Sequence, residues 1–195
     1  EENMSSNFFA YISRMKLIKR WGLMRNTQPE NDMEHSMQVV MLAHGMGVIA
    51  NRRFGASVDL GRIALIAAYH DASEVITGDM ATPIKYFSPD IRRAYGEIEQ
   101  MACGRLTAML PEDVRGDIAP LLNPDTSTRE YRIVKAADKL SAYIKCVEEL
   151  KAGNAEFARA KDAIQAQLEA VDLPELHEFI AEFGYGFALS LDELN

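Results

Sequence analysis

Apolar residues recur at offsets of three and four along almost the whole chain, the spacing of helices that bury one face. Phe8, Tyr11, Ile12, Met15 and Ile18 form the first such set. After a turn-rich stretch, 22–30, Asn31 followed by Glu34 has the form of a capping box and opens a helix to about residue 50. Its expected buried stripe is Met37, Val40, Met41, His44 and Val48. A third helix is predicted over 59–77, with Ile63, Ile66, Ala67 and His70 on one face and Gly78 as its C-cap. Prolines interrupt the pattern over 78–89. Residues 90–110 return to it through Ile91, Tyr95, Ile98 and Leu106, and Pro111 stops or restarts the chain. Ser127 with Glu130 repeats the capping box before a long helix that buries Ile133, Ala137, Leu140, Ile144 and Val147 and ends at Gly153. Phe157, Ile164, Leu168 and Val171 predict one more helix, and Pro174 opens a short apolar one. No alternating strand set remains, so the expected fold class is all-α. No repeat or Gly/Ser linker divides residues 1–195, and a single domain is expected.

Composition narrows the classes of partner. Hydrophobic residues make up 48% and charged residues 26%, which is ordinary for a globular chain and far from a disordered one. Acidic residues outnumber basic ones 29 to 21, a net charge of -8. That balance disfavours a nucleic acid polymer or an anionic membrane, yet allows a small anion held by local cations or a metal. The longest apolar run, 63–69, is far short of the roughly 20 residues of a membrane span. Cys103 and Cys146 fall within helical patterns and read as reduced thiols of a cytoplasmic protein, and no secretory leader pattern is visible. Met4 is expected to be the natural start, with residues 1–3 preceding it as a remnant.

The candidate chemistry lies on three helices. His35 opens the second, His70 and Asp71 lie late in the third, and Asp138 sits among apolar neighbours in the long one. Two imidazoles and two carboxylates can converge there, a ligand mix suited to Zn, Mn, Co, Ni or Fe(II). Each piece alone is weak, because His-Asp pairs are common and a helical histidine is usually structural. Asp138 adds weight, since a carboxylate in an apolar run needs a partner. His70 and Glu74 share a helix face at i, i+4. Asp71 projects about 100° away, so an ion touching both His70 and Asp71 must lie close against the helix.

The order His35, His70-Asp71, Asp138 resembles the H…HD…D pattern of the HD-domain metal-dependent phosphohydrolases. Within that superfamily the chain is most similar to the bacterial 5′-deoxynucleotidases. The similarity runs through Phe8-Phe9-Ala10, Leu17-Ile18, Arg20-Trp21, Leu23-Met24-Arg25-Asn26 and Glu34-His35-Ser36. It continues through Tyr69 to Val75, Thr77-Gly78-Asp79, Thr82-Pro83, Lys85-Tyr86-Phe87 and Lys135-Ala136-Ala137-Asp138, and returns at Leu189 to Glu193. The four-residue pattern is moderately specific; Arg20-Trp21 and 70–79 are more so.

The resemblance implies a helical domain that removes phosphate from deoxyribonucleoside 5′-monophosphates with a divalent metal and water. His35, His70, Asp71 and Asp138 would hold the metal, and the last two carboxylates with His35 would border the substrate. Arg20 would orient the phosphate, since a guanidinium fork matches phosphate geometry. Glu74 would be the general acid or base. Trp21 would face the C2′ side of the sugar, Asp79 would accept from the 3′-hydroxyl, and Met80, Ala81 and Thr82 would complete the loop. The plain structural readings of these residues are a surface cation for Arg20, a solvated carboxylate for Glu74, core filling for Trp21 and a turn acid for Asp79. A homodimer is also implied, with Phe179, Ile180 and Phe183 as exposed interface residues.

Ala81 departs from the family pattern, which has proline there, so the loop is expected to be less stiff and sugar selectivity less secure. The stretch after Pro111 and residues 123–128 match only loosely. Outside the site, His44 is expected in the core or behind the ligands, His177 at the surface, and the ten methionines as core filler. Glu148-Glu149 and Asp192-Glu193 read as solvated faces. The competing functions are another HD-class enzyme, such as a triphosphohydrolase or broad phosphatase, and a non-catalytic metal-containing nucleotide sensor. Product analysis separates the first; a sensor needs neither Arg20 nor Glu74.

Overall fold

The computed structural model describes residues 5–85 and 87–194, except for the side chains of Thr82 and Pro83. Met4, residues 1–3 and Tyr86 lie outside the described residues. The chain folds as α1 (Phe8–Ile12), a 3-10 turn (Ser13–Leu17), α2 (Asp32–Arg53), α3 (Leu60–Tyr69), α4 (Glu74–Thr77) and α5 (Thr82–Lys85). It continues through α6 (Pro89–Ala108), α7 (Glu112–Leu122), α8 (Arg129–Lys151), α9 (Ala158–Glu169) and α10 (Pro174–Phe183), with short 3-10 turns after α8 and α10. The fold is all-α: among the described residues no strand forms, and the lone antiparallel bridge joins Lys19 to Asn31. No helix is long and apolar enough to cross a membrane among the described residues.

Local signals set the helix starts. Asn31 accepts from the backbone N–H groups of Met33 and Glu34 at 3.0 Å each, fixing the first turn of α2 and the position of His35. Asp59 caps α3 by accepting from the Arg62 N–H at 2.9 Å. Helix α2 then lies against α3, α8 and α10. Val39, Ala43 and Met46 of α2 meet Ile63, Ile66 and Ala67 of α3 and Ile133, Ala137, Leu140 and Ile144 of α8 in one core. Gly47 permits the close approach of α2 and α3: a Cβ there would lie 2.8 Å from Ile63 Cδ1 and 2.9 Å from Leu60 Cδ2. A second cluster of Phe8, Ala72, Leu106, Leu110 and Leu122 supports the turn after α3.

Several expectations need correction. Helix α2 buries Val39, Leu42, Ala43, Met46 and Ile49, whereas Met37, Met41 and His44 are exposed. The helix carries apolar residues on two sides, and the side chosen is the one that points His35 inward. The methionines accordingly divide, with Met15 and Met46 buried and Met33, Met37, Met41 and Met101 exposed. The single helix expected over 59–77 breaks after Tyr69 and restarts at Glu74, with Gly78 adopting φ 73° after it. Thr128, not Ser127, caps α8, because Ser127 donates its hydroxyl to Asp125 while Thr128 accepts from the Tyr131 N–H. Ile91 and Ile98 of α6 are exposed. Phe179 is a core residue against α2, so of the expected interface trio only Phe183 is strongly exposed.

Glu149 is the largest departure from a solvated face, being 2% exposed. It is bonded to the buried Lys145 ammonium and accepts from the Asn154 amide at 2.8 Å and from the Thr27 and Gln28 N–H groups at 2.8 and 3.1 Å. Burial raises its pKa, but the Lys145 and Asn154 bonds and the two backbone donors outweigh it and hold the group well below its ordinary 4.5. A depressed folded-state pKa stabilises fully above pH 4.5, and that contribution disappears as pH falls toward the folded value. The difference in melting temperature between wild type and Glu149→Gln should therefore shrink from neutral pH to about pH 3, measured by thermal melts at both. A difference that is constant with pH would contradict this account of Glu149.

Candidate active site and metal centre

The first turn of α2, the break after α3 and the middle of α8 bring His35, His70, Asp71 and Asp138 together. His35 Nε2 lies 3.1 Å from Asp138 Oδ1 and 3.6 Å from Asp71 Oδ2. His70 Nε2 lies 3.2 Å from Asp71 Oδ2 and 3.8 Å from Asp138 Oδ1. His35, His70 and Asp138 each offer a ligand atom within 4.8 Å of the others. His70 keeps helical backbone angles at the end of α3, and its ring and the Asp71 carboxylate still turn toward one another, since His70 Nε2 lies 3.2 Å from Asp71 Oδ2.

Hydrogen bonds on the far side of each ring fix the tautomers. Ser141 Oγ spends its proton on Gln38 Oε1 at 2.6 Å, so it accepts from His35 Nδ1–H at 3.0 Å. Ala67 O can only accept, so His70 Nδ1 at 2.7 Å carries a proton. Both Nε2 lone pairs then face carboxylate oxygens, an arrangement that is repulsive until a cation or a proton lies between them. His70 Nε2 is buried without a hydrogen-bond partner among the described residues. Burial lowers the pKa of His70, yet Asp71 and Asp138 push it up to about 10, which records the same demand for positive charge. Asp138 is held low despite burial by Lys135, whose Nζ donates to Oδ2 at 2.6 Å, and by the two histidines. This donor set fits a divalent transition metal.

Of the other expected residues, Arg20 and Glu74 reach this cluster through Asp71. Arg20 Nη1 donates to Asp71 Oδ2 at 3.1 Å and Nε donates to Glu30 Oε2 at 3.2 Å. The Trp21 indole N–H donates to the same Glu30 oxygen at 3.2 Å, and its ring packs 5.3 Å from that of Phe157. Trp21 is therefore neither loose nor fully in the core. Glu74, the first residue of α4, is 9% exposed with one oxygen buried and unpartnered among the described residues. Burial, then the charges of Asp71, Asp32 and Asp79, push its carboxyl up to about 10, so it carries a proton at neutral pH. Asp79 is exposed, Met80 and Ala81 are partly buried in irregular chain, and Thr82 opens α5 with its side chain outside the described residues.

Three participants escape sequence reasoning. Glu30 orients Arg20 and Trp21 together, but its sequence neighbourhood gives no sign of this. Asp32 is wholly buried, lies within 4.8 Å of Asp71 and Glu74 oxygens, and is pushed up to about 7 chiefly by burial. From sequence it is an ordinary acid in a helix's first turn. Ser141 sits one turn from Asp138 on α8, and only that spacing could have pointed to it.

An all-helical fold that places a histidine, a His-Asp pair and a distant aspartate around one point defines an HD-domain phosphohydrolase. Solved structures agree on the fold: an HD-domain phosphohydrolase from Listeria innocua superposes with TM-score 0.81 at 24% identity, covering 95% of this chain and 90% of that one. The cyanophage S-2L HD phosphohydrolase bound to dA and one catalytic Zn2+ ion does so with TM-score 0.65 at 21% identity, covering 91% and 95%. Residues 7–187 match the family model described as 5′-deoxynucleotidase YfbR-like, and the chain belongs to that family. It is 51% identical to the 5′-deoxynucleotidase YfbR of Escherichia coli, over 97% of this chain and 96% of that protein. It is 49% identical to a 5′-deoxynucleotidase of Vibrio parahaemolyticus, over 97% and 98%.

Because Ser141 sets the His35 tautomer, Ser141→Ala should weaken metal binding by about 10–100-fold. Competition of apo protein against a metal-sensitive chelating dye measures this. Unchanged affinity would remove Ser141 from the site.

Proposed function

We propose the following division of labour for the reaction that family membership gives this chain, the metal-dependent hydrolysis of deoxyribonucleoside 5′-monophosphates to deoxyribonucleosides and phosphate. The observation that carries it is one buried point where the His35 and His70 Nε2 atoms, the Asp71 and Asp138 carboxylates, the Arg20 guanidinium and the Glu74 carboxyl group come together. His35, His70, Asp71 and Asp138 hold the metal. When bound, a divalent transition ion (Zn, Mn, Co, Ni or Fe) neutralises phosphate charge and makes water a better nucleophile at neutral pH. The S-2L relative's single catalytic Zn2+ supports a site of this kind.

The chain's own groups supply the rest. Arg20 orients the phosphate with its fork, itself held by Glu30 and Asp71. Its pKa is raised by the acids around it despite burial, so it remains a full positive charge against the equatorial oxygens. Glu74 holds its proton in a dry position and delivers it to the departing 5′-oxygen as general acid. Trp21, fixed at Nε1 by Glu30, presents its indole to the C2′ side and leaves no place for a 2′-hydroxyl. Asp79 accepts from the 3′-hydroxyl, and the 80–82 backbone closes the pocket, with Ala81 leaving that segment less stiff than proline would. A cytoplasmic, homodimeric protein of one domain completes the proposal.

Phosphate release from dAMP and from AMP, by apo protein reloaded separately with Co, Mn, Zn and Mg, tests the reading. Metal-dependent turnover of dAMP well above AMP is expected. Equal turnover of both would contradict the roles of Trp21 and Asp79, and none of either with metal bound would contradict the reaction. Glu74→Ala should keep substrate affinity and lose about 10²–10⁴-fold in kcat, the usual scale for a general acid. Near-wild-type turnover would exclude Glu74 from proton transfer.

A further inference from the structure

Residues 21–30 contain no regular secondary structure, yet they carry Trp21 at one end and Glu30 at the other. Trp21 is the one non-glycine residue with positive φ, 57°, among the described residues, a backbone conformation that persists only where surroundings enforce it. A corner more than a hundred residues away in sequence bonds the backbone of this loop at residues 25, 27 and 28. Glu149 takes the backbone N–H groups of Thr27 and Gln28, and Lys145 Nζ donates to Gln28 O. Asn154 bonds Glu149 through its amide at 2.8 Å and donates to Arg25 O at 2.7 Å. Asn26 ties the loop to itself by donating to Trp21 O at 3.2 Å and Met24 O at 3.0 Å. Phe157, fully buried, forms the shelf for the Trp21 ring, and Lys145 Nζ lies 5.6 Å from the centroid of that shelf.

We propose that Lys145 and Glu149 are positioning residues for Trp21: their buried ion pair grips the backbone of residues 27–28 and so holds the 21–30 loop, and with it the indole, in the orientation the site uses. Glu149 spends two on main-chain N–H groups and Lys145 one on a main-chain carbonyl, all in this loop. The consequence for substrate rests on the placement of Trp21 against the sugar proposed above; the consequence for Trp21 itself does not.

Trp21 is the only tryptophan in the chain, so intrinsic fluorescence reports on this loop directly. In the metal-loaded double variant Lys145→Met/Glu149→Gln, both charges go together, so neither is left buried and unpaired. Acrylamide quenching of Trp21 should rise about twofold as the loop opens locally. KM for dAMP should rise about tenfold, with kcat and bound metal changed by less than about twofold, since the loop positions substrate and leaves the ligands alone. If the double variant fails to fold, Asn154→Ala removes only the outer bonds to Glu149 and Arg25 and should move quenching and KM in the same direction by less. Quenching unchanged in a folded variant would overturn the proposal. Increased quenching with unchanged KM would uphold the grip on Trp21 and contradict instead the placement of Trp21 against the sugar.

Discussion

Two imidazole lone pairs and two carboxylates point at the same place in the interior, and they repel one another until positive charge is supplied. Most of the surrounding structure is organised around that constraint. Ser141 and the Ala67 carbonyl keep the Nδ1 protons on the outer sides of the rings, so the inner nitrogens cannot escape the conflict by changing tautomer. Lys135 and Arg20 bring fixed charge to Asp138 and Asp71 from either side. The residual demand is what a divalent ion satisfies.

The same constraint explains why the acids nearby behave differently. Asp71 and Asp138 are kept ionised by histidine, lysine and arginine neighbours in spite of burial. Glu74 and Asp32, with Arg20 only at 3.9 Å from Asp32, are pushed the other way by burial and by the charges of Asp71 and Asp79. Burial acts alike on all four, so the cationic neighbours of Asp71 and Asp138 are what separate the carboxyl groups into two kinds within one pocket, the general means by which two chemistries coexist at neutral pH.

How much of this could be read from the chain depends on whether the signal was local. Helix existence and the Asn31 cap were legible, because caps and periodicity are properties of neighbouring residues, and the convergence of His35, His70, Asp71 and Asp138 was legible through the family resemblance. The buried face of α2 was not. Met37, Met41 and His44 make as regular a stripe as Val39, Ala43 and Met46, and only packing against α3 and α8 decides between them. The break at 70–73 has no proline or glycine to announce it. Glu149 was misread for a related reason: an acid pair at a helix end looks solvated until a loop from residues 27–28 arrives to be bonded. Glu30 and Asp32 belong to the same class, since the partners that give them meaning, Arg20 and Trp21 for one and Glu74 for the other, meet them only in the fold.

The central claim is that the convergence of His35, His70, Asp71 and Asp138 is a metal site. Anomalous diffraction from crystals of the metal-loaded protein tests it most directly. The account predicts one peak among those four side chains, about 2.0–2.2 Å from both Nε2 atoms and from a carboxylate oxygen. A peak centred elsewhere, such as among Asp32, Asp71 and Glu74, or no peak at saturating metal, would contradict it.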